Sequence, residues 1–200
     1  FGLGRDIFIR TALLVFCEAV VLNQAAKLGD LDLATCQLVL TLFSILTFAL
    51  DAFAYAAEAL VGEAIGKRNL HDLQVVIRRT KSLAAVLALI IAAILWLGDT
   101  VIIRLFTTQV ALIAYAQNHW LWACLMAPAS FLAFQLDGIF VGATLGQDMR
   151  NAMIISASGL GFALLLLEPW GLHGLLAAFV GYLGLRGASL WWHIDRVYAQ

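Results

Sequence analysis

The residues that could carry chemistry in this 200-residue chain are the few carboxylates that interrupt apolar runs. The segment 48–69, FALDAFAYAAEALVGEAIGKRN, is apolar enough to enter a bilayer, yet it holds Asp51 and Glu58 inside the run and Glu63 near its end. Each charge costs free energy in hydrocarbon unless it faces protein or water. Helical residues turn by roughly 100° each. Ser44, Thr47, Asp51, Tyr55 and Glu58 therefore fall on one face, and Gln37 extends the stripe. A membrane helix that is polar along one side lines a cavity, which makes Ser44, Thr47, Tyr55 and Glu58 candidates for a substrate cleft and Asp51 a candidate for cation coupling within it.

Glu18 lies in the middle of another apolar run, on a face that offers only Thr11, Leu14, Leu22 and Ala25. A carboxyl so placed can take up a proton, or hold Na+ in its place, which is the chemistry of cation coupling. The alternative is a pair with a polar group on another helix that only fixes packing. Ser130, Asp137 and Thr144 form a sparser stripe at seven-residue spacing. Asp137 then either faces the cavity of Asp51 as a further coupling candidate, or accepts hydrogen bonds from a neighbouring helix terminus. Tyr55, Phe53 and Phe134 offer aromatic faces to lipophilic or cationic guests, with ordinary helix packing as the alternative.

Helices must hold these groups. The chain is 63% hydrophobic and 12% charged, with a mean hydropathy of +0.94, which excludes a soluble domain and places it in a membrane. At about 20 residues per span, this length holds about six helices. Only 2 Pro and 16 Gly argue for a helical bundle over a barrel of alternating strands. The pattern predicts an all-α membrane protein with helices over 6–28, 33–66, 82–103, 110–145, 149–167 and 171–192. The second is longer than a bilayer needs, so its last turns with Glu63 should protrude. Pro128 predicts a kink in the fourth. Lys67, Arg68, Arg78, Arg79 and Lys81, interleaved with Leu70, Leu73, Val76 and Ile77, suit a short amphipathic helix lying on the membrane surface. Gln147 or Asp148 is placed to cap the fifth helix. Lys and Arg are richer in alternate connections, which predicts that both ends of the segment are cytoplasmic. Val61–Gly62 to Gly66 echoes Val141–Gly142 to Gly146, and each holds a Gly-x-x-x-Gly spacing that lets two helix backbones approach closely.

Other classes find little support. A net charge of -1 with no basic, aromatic-interleaved run argues against nucleic acid. Cys17, Cys36 and Cys124 are scattered in apolar sequence and read as buried small hydrophobes, not as a zinc site or disulfide framework. His71, His119, His173 and His193 fall near loops and helix ends, where solvated side chains need no special role. No H-E-x-x-H, G-x-S-x-G or Gly-x-x-x-x-Gly-Lys-Ser/Thr motif is present, so no enzyme, metal or nucleotide cofactor is expected. No charged n-region with a cleavage site opens the chain, so no signal peptide is expected.

Leu50-Asp51-Ala52-Phe53-Ala54-Tyr55-Ala56-Ala57-Glu58-Ala59-Leu60-Val61-Gly62, with Ala64, Gly66 and Arg68 after it, resembles the eighth helix of multidrug and toxic compound extrusion (MATE) transporters of the DinF branch. Leu136-Asp137-Gly138-Ile139-Phe140-Val141-Gly142-Ala143-Thr144, continuing to Asp148-Met149-Arg150-Asn151-Ala152-Met153, is similar to the tenth helix and the turn after it, and Arg186-Gly187 fits the last helix. The resemblance implies that residues 1–200 are a C-terminal six-helix lobe whose N-terminal lobe, in the same full-length chain, is absent here. It implies multidrug efflux of organic, often cationic, compounds across a bacterial inner membrane, by alternating access and antiport of H+ or Na+. Phe16-Cys17-Glu18-Ala19 looks like an acidic coupling position in the seventh helix of another branch, while Phe134 stands where a tenth-helix carboxylate is expected. In the DinF branch the key aspartate belongs to the first helix, in the other lobe. Two rivals remain: a flippase for a lipid-linked substrate, which would carry more Arg and Lys within its helices, and a non-transporting scaffold subunit whose stripe packs against a partner.

Overall fold

The computed structural model describes residues 2–200, and among them every regular element is helical. Six long helices, α1 (Gly2–Leu28), α2 (Asp30–Gly66), α3 (Leu70–Leu97), α5 (Val110–Gly142), α6 (Gly146–Leu167) and α7 (Gly171–Trp191), are accompanied by two short ones, α4 (Asp99–Phe106) between α3 and α5 and α8 (Asp195–Tyr198) after α7. A 3-10 turn, Glu168–Trp170, carries Pro169 between α6 and α7. Asp30–Gly66, Leu70–Leu97, Val110–Gly142 and the stretch Gly146–Tyr198 are long and apolar enough to cross a membrane. α1, which carries Arg5, Asp6, Arg10, Glu18 and Lys27, is the least apolar of the long helices.

α5 is the hub, packing on α2, α3 and α7, while α6 lies on α7 and α1. Pro128 stands inside α5, which runs on through it as one helix to Gly142. One apolar cluster, with Phe43, Trp120, Met126 and Phe179, fills most of the bundle. A second, with Val61, Ile77, Phe140 and Val197, closes the end where α2 and α5 finish.

The boundaries correct the sequence reading in three places. The basic segment is not a separate surface helix. Leu73 and Ile77 are buried, and α3 runs unbroken from Leu70 because no Gly or Pro interrupts it before Gly98. Asn69 caps that helix, its side-chain oxygen accepting the Asp72 N–H at 3.2 Å. At its far end Gly98 breaks the predicted third helix in two, and α4 takes up its last residues. α5 stops at Gly142, three residues early. Thr144 adopts φ 59°, its N–H reaches the Val141 carbonyl and the Leu145 N–H reaches that of Phe140, the two bonds of a Schellman stop. α2 ends in the same way at Arg68, φ 52°.

The glycine echo acts in a different register from the one its spacing suggested. A Cβ on Gly138 would collide with the Ala54 carbonyl, and one on Gly142 would come within 2.5 Å of the Glu58 oxygen, whereas Gly66 has nothing within 4 Å and Gly146 meets Leu3 of α1. The close approach is thus Gly138-x-x-x-Gly142 of α5 against Ala54 and Glu58 of α2, and the rising register shows the two helices running parallel. Replacing Gly138 by Ala should therefore force α2 and α5 apart and cost ~2 kcal/mol. Gly161→Ala, where nothing lies within 4 Å, should be neutral. Thermal unfolding midpoints of the detergent-solubilised full-length protein check this, and equal midpoints for the two variants would refute it.

Candidate functional site

At the level of the parallel α2–α5 contact, three helices converge on one carboxylate. Asp137 of α5 accepts through Oδ2 from the guanidinium groups of both Arg10 on α1 and Arg186 on α7. Arg186 is fully buried at 2% exposure, and its guanidinium lies 5.4 Å from the centre of the Phe134 ring. Phe134 in turn meets Phe43 edge-on at 6.3 Å. A buried arginine is tolerable only when paired, so α1, α5 and α7 are joined through Asp137. The alternative of a helix terminus as its partner is overturned, since both donors are side chains. Asp137 Oδ1 and Arg10 Nε remain unpartnered among the described residues.

Asp51 of α2 is half-buried and interacts electrostatically with Asp137, Arg10 and Arg186. Glu18, one helix across, is also half-buried and within electrostatic reach of Arg186. Among the described residues neither Glu18 nor Asp51 forms a hydrogen bond or ion pair. The rest of the α2 stripe lies along the open side of the helix. Tyr55 is 69% exposed, Ser44 is exposed, and Thr47 and Glu58 are half-exposed. The Ser44 and Thr47 hydroxyls donate back to the carbonyls of Leu40 at 3.0 Å and Ser44 at 2.7 Å. The stripe therefore offers a polar strip with unpaired carboxyls at Asp51 and Glu58. Ser130 does not join it: it is wholly buried and donates to the Ala127 carbonyl at 3.3 Å. The reason is its position on α5, whose surroundings are filled by α2, α3 and α7.

Further pairs fasten the end near the termini. Arg150 of α6 donates to Asp6 of α1 at 2.7 Å, and Arg196 of α8 to Asp148 of α6 at 2.5 Å. Asp148 is buried and committed to Arg196, and neither it nor Gln147 caps α6. At the opposite end the histidine expectation fails for His119 alone, since His71 and His173 are exposed and His193 is half-exposed. His119 is buried and stacks on His173 at 4.1 Å, and His173 accepts from the Trp122 indole at 3.1 Å. No group of three or more His, Cys, Asp or Glu suited to a metal ion occurs among the described residues.

Sequence reasoning passed over Arg10 and Arg186 as site residues. A signal existed, since Arg186 interrupts the apolar run 171–191 and a charge there demands a partner. Nothing local, however, names a carboxylate 49 residues away.

The MatE family profile matches residues 7–167. The chain is 35% identical over 190 residues to the DNA damage-inducible protein F of Escherichia coli (strain K12), covering 94% of this chain and 41% of that protein. It is 24% identical to Protein DETOXIFICATION 42 of Arabidopsis thaliana, over 96% of this chain and 37% of that one. A crystal structure described as MATE in the bent conformation superposes with a TM-score of 0.81 at 15% identity, over 96% of this chain and 44% of the other. The chain thus spans about two-fifths of the length of the curated relatives it matches.

The cluster makes a prediction that separates its members. Asp137→Asn leaves two arginines short of a counter-charge and should cost ~3–5 kcal/mol, seen as collapse of the monodisperse full-length protein in detergent extracts. Glu18→Gln and Asp51→Asn, which break no ion pair, should leave that yield within about twofold. A normal yield of Asp137→Asn would show that the arginines do not depend on it.

Proposed function

The chain belongs to the MatE family, whose members are transporters and not enzymes, and we propose that it forms the C-terminal lobe of a multidrug exporter whose other lobe completes the cleft. The observation that carries this reading is the open face of α2, where Asp51, Tyr55 and Glu58 lie exposed or half-exposed beside the buried Arg10–Asp137–Arg186 cluster. A lone six-helix bundle in lipid has no use for such a face, because unpaired carboxyls in hydrocarbon are costly. Against a second lobe, the same face lines a water-filled path, and Tyr55 with Phe53 offers rings to a lipophilic or cationic guest.

Glu18 is the proposed coupling group. It is half-buried on α1, lacks an ion-pair partner among the described residues, and lies within reach of Arg186, which also holds Asp137. Binding of H+ or Na+ at Glu18 removes a negative charge that Arg186 senses, so the occupancy of one carboxyl biases a guanidinium that ties α7 to α5. Rocking of one lobe against the other then carries substrate outward as the cation moves inward. Asp51 stands beside the same arginines as a second member of the cleft. Asp137 holds the scaffold that both act upon, which gives it a positioning part and not that of a freely exchanging carboxyl. The protein is proposed to sit in a bacterial inner membrane with both ends of this segment cytoplasmic, in keeping with the basic residues Lys67, Arg68, Arg78, Arg79 and Lys81 at that end.

The test uses the full-length protein in proteoliposomes carrying an imposed H+ or Na+ gradient. Glu18→Gln should abolish gradient-driven efflux of a cationic dye, by about tenfold or more, while dye binding and protein yield persist. Undiminished coupled efflux would remove Glu18 from the mechanism, and no flux from the parent under either gradient would favour a non-transporting scaffold.

A further inference from the structure

We propose that the furrow between α3 and α7, at the end where the basic residues gather, binds an anionic phospholipid, its phosphate between Arg78 and Lys81 and an acyl chain along Ala85, Phe131 and Leu132. The furrow exists because α3 and α7 both pack on α5 yet hardly touch each other. What remains between them is a groove of about 510 Å3, floored by Phe131 and Leu132 of α5 and walled by Arg78, Lys81 and Ala85 of α3 and Trp191 of α7. None of these residues belongs to α1 or α2, so the groove is separate from the face assigned to the cleft.

Its depth in the membrane is fixed by Trp191. α7 has 21 residues, about 31 Å at the helical rise, which matches the hydrocarbon thickness, so the Trp191–Trp192 end lies at the headgroup boundary. Lys81 Nζ stands 4.0 Å from the centre of the Trp191 ring, and this contact sets the ammonium at the same level. Arg78 is three residues earlier, hence on the same face of α3 and one turn further toward water. Neither cation forms an ion pair among the described residues: Asp6, Asp148 and Glu63 at this end are held by Arg150, Arg196 and Lys67, and the exposed Asp72 and Asp195 bond neither Arg78 nor Lys81. Two unneutralised cations above an apolar trough complement a phosphodiester above an acyl chain. A zwitterionic lipid would fill the trough equally well but would bring its own ammonium to the cations.

Native mass spectrometry of the full-length protein in detergent, titrated separately with phosphatidylglycerol, phosphatidylcholine and inorganic phosphate, tests the site. The parent should hold phosphatidylglycerol about tenfold more tightly than phosphatidylcholine. Arg78→Gln with Lys81→Gln should remove that preference, Arg78→Lys with Lys81→Arg should keep it, and Arg79→Gln should leave it unchanged. Ala85→Trp, which fills the trough and keeps both charges, should also weaken phosphatidylglycerol, and it serves if the neutral double variant does not fold. Equal binding of the two lipids by the parent, an undiminished preference in the neutral double variant or in Ala85→Trp, or displacement of the lipid by millimolar phosphate would each overturn the proposal.

Discussion

A single buried anion, Asp137, determines how α1, α5 and α7 can be arranged. Among the described residues Arg10 and Arg186 have no other carboxylate bonded to them, and in a low-dielectric interior a guanidinium without one is strongly unfavourable. Two helices must therefore present arginines toward α5 at the depth of Asp137. Hydrophobic burial alone would not set it, because lipid tails solvate Leu and Val as well as a neighbouring helix does. Directional charge pairing gives the bundle a register that its apolar faces lack.

The second constraint is the near-contact of backbones between α2 and α5. With Gly138 against Ala54 and Gly142 against Glu58, these helices approach more closely than a side chain at either glycine would permit. The effect is to aim the polar side of α2 outward. The face that carries Ala54, Ala57 and Val61 is spent on packing, so Asp51, Tyr55 and Glu58 are left on the open side. The carboxyl of Asp51 still falls within the field of the arginines behind it. Close packing and an accessible polar strip are two results of one helix pairing.

Much of this was legible in the chain itself. The period of the apolar residues gave the long helices, and the α2 stripe was visible because its members are local and helical spacing alone decides their common face. Its outward aim and the burial of Ser130 were not visible, since these depend on what packs behind each helix. The partners of Asp137 were hidden for the same reason, Arg10 being 127 residues away in sequence. The amphipathic look of 70–81 was real, but the pattern of a surface helix is also that of a helix end packed on one side. Leu73 and Ile77 chose the second by burying against α5 and its neighbours. His119 and His173 stack because α5 and α7 bring two helix ends together, a meeting that neither end records.

The ion pairs that fasten α1 to α6 and α6 to α8 have a topological corollary. Gly2, Leu3, Ala199 and Gln200 border one shallow pocket of about 420 Å3 with Asp6 and Asp148, so the strand of chain that enters the bundle and the one that leaves it are neighbours. A change that loosens either ion pair is therefore felt at both of these stretches of chain, since Asp6 and Asp148 line the pocket they share.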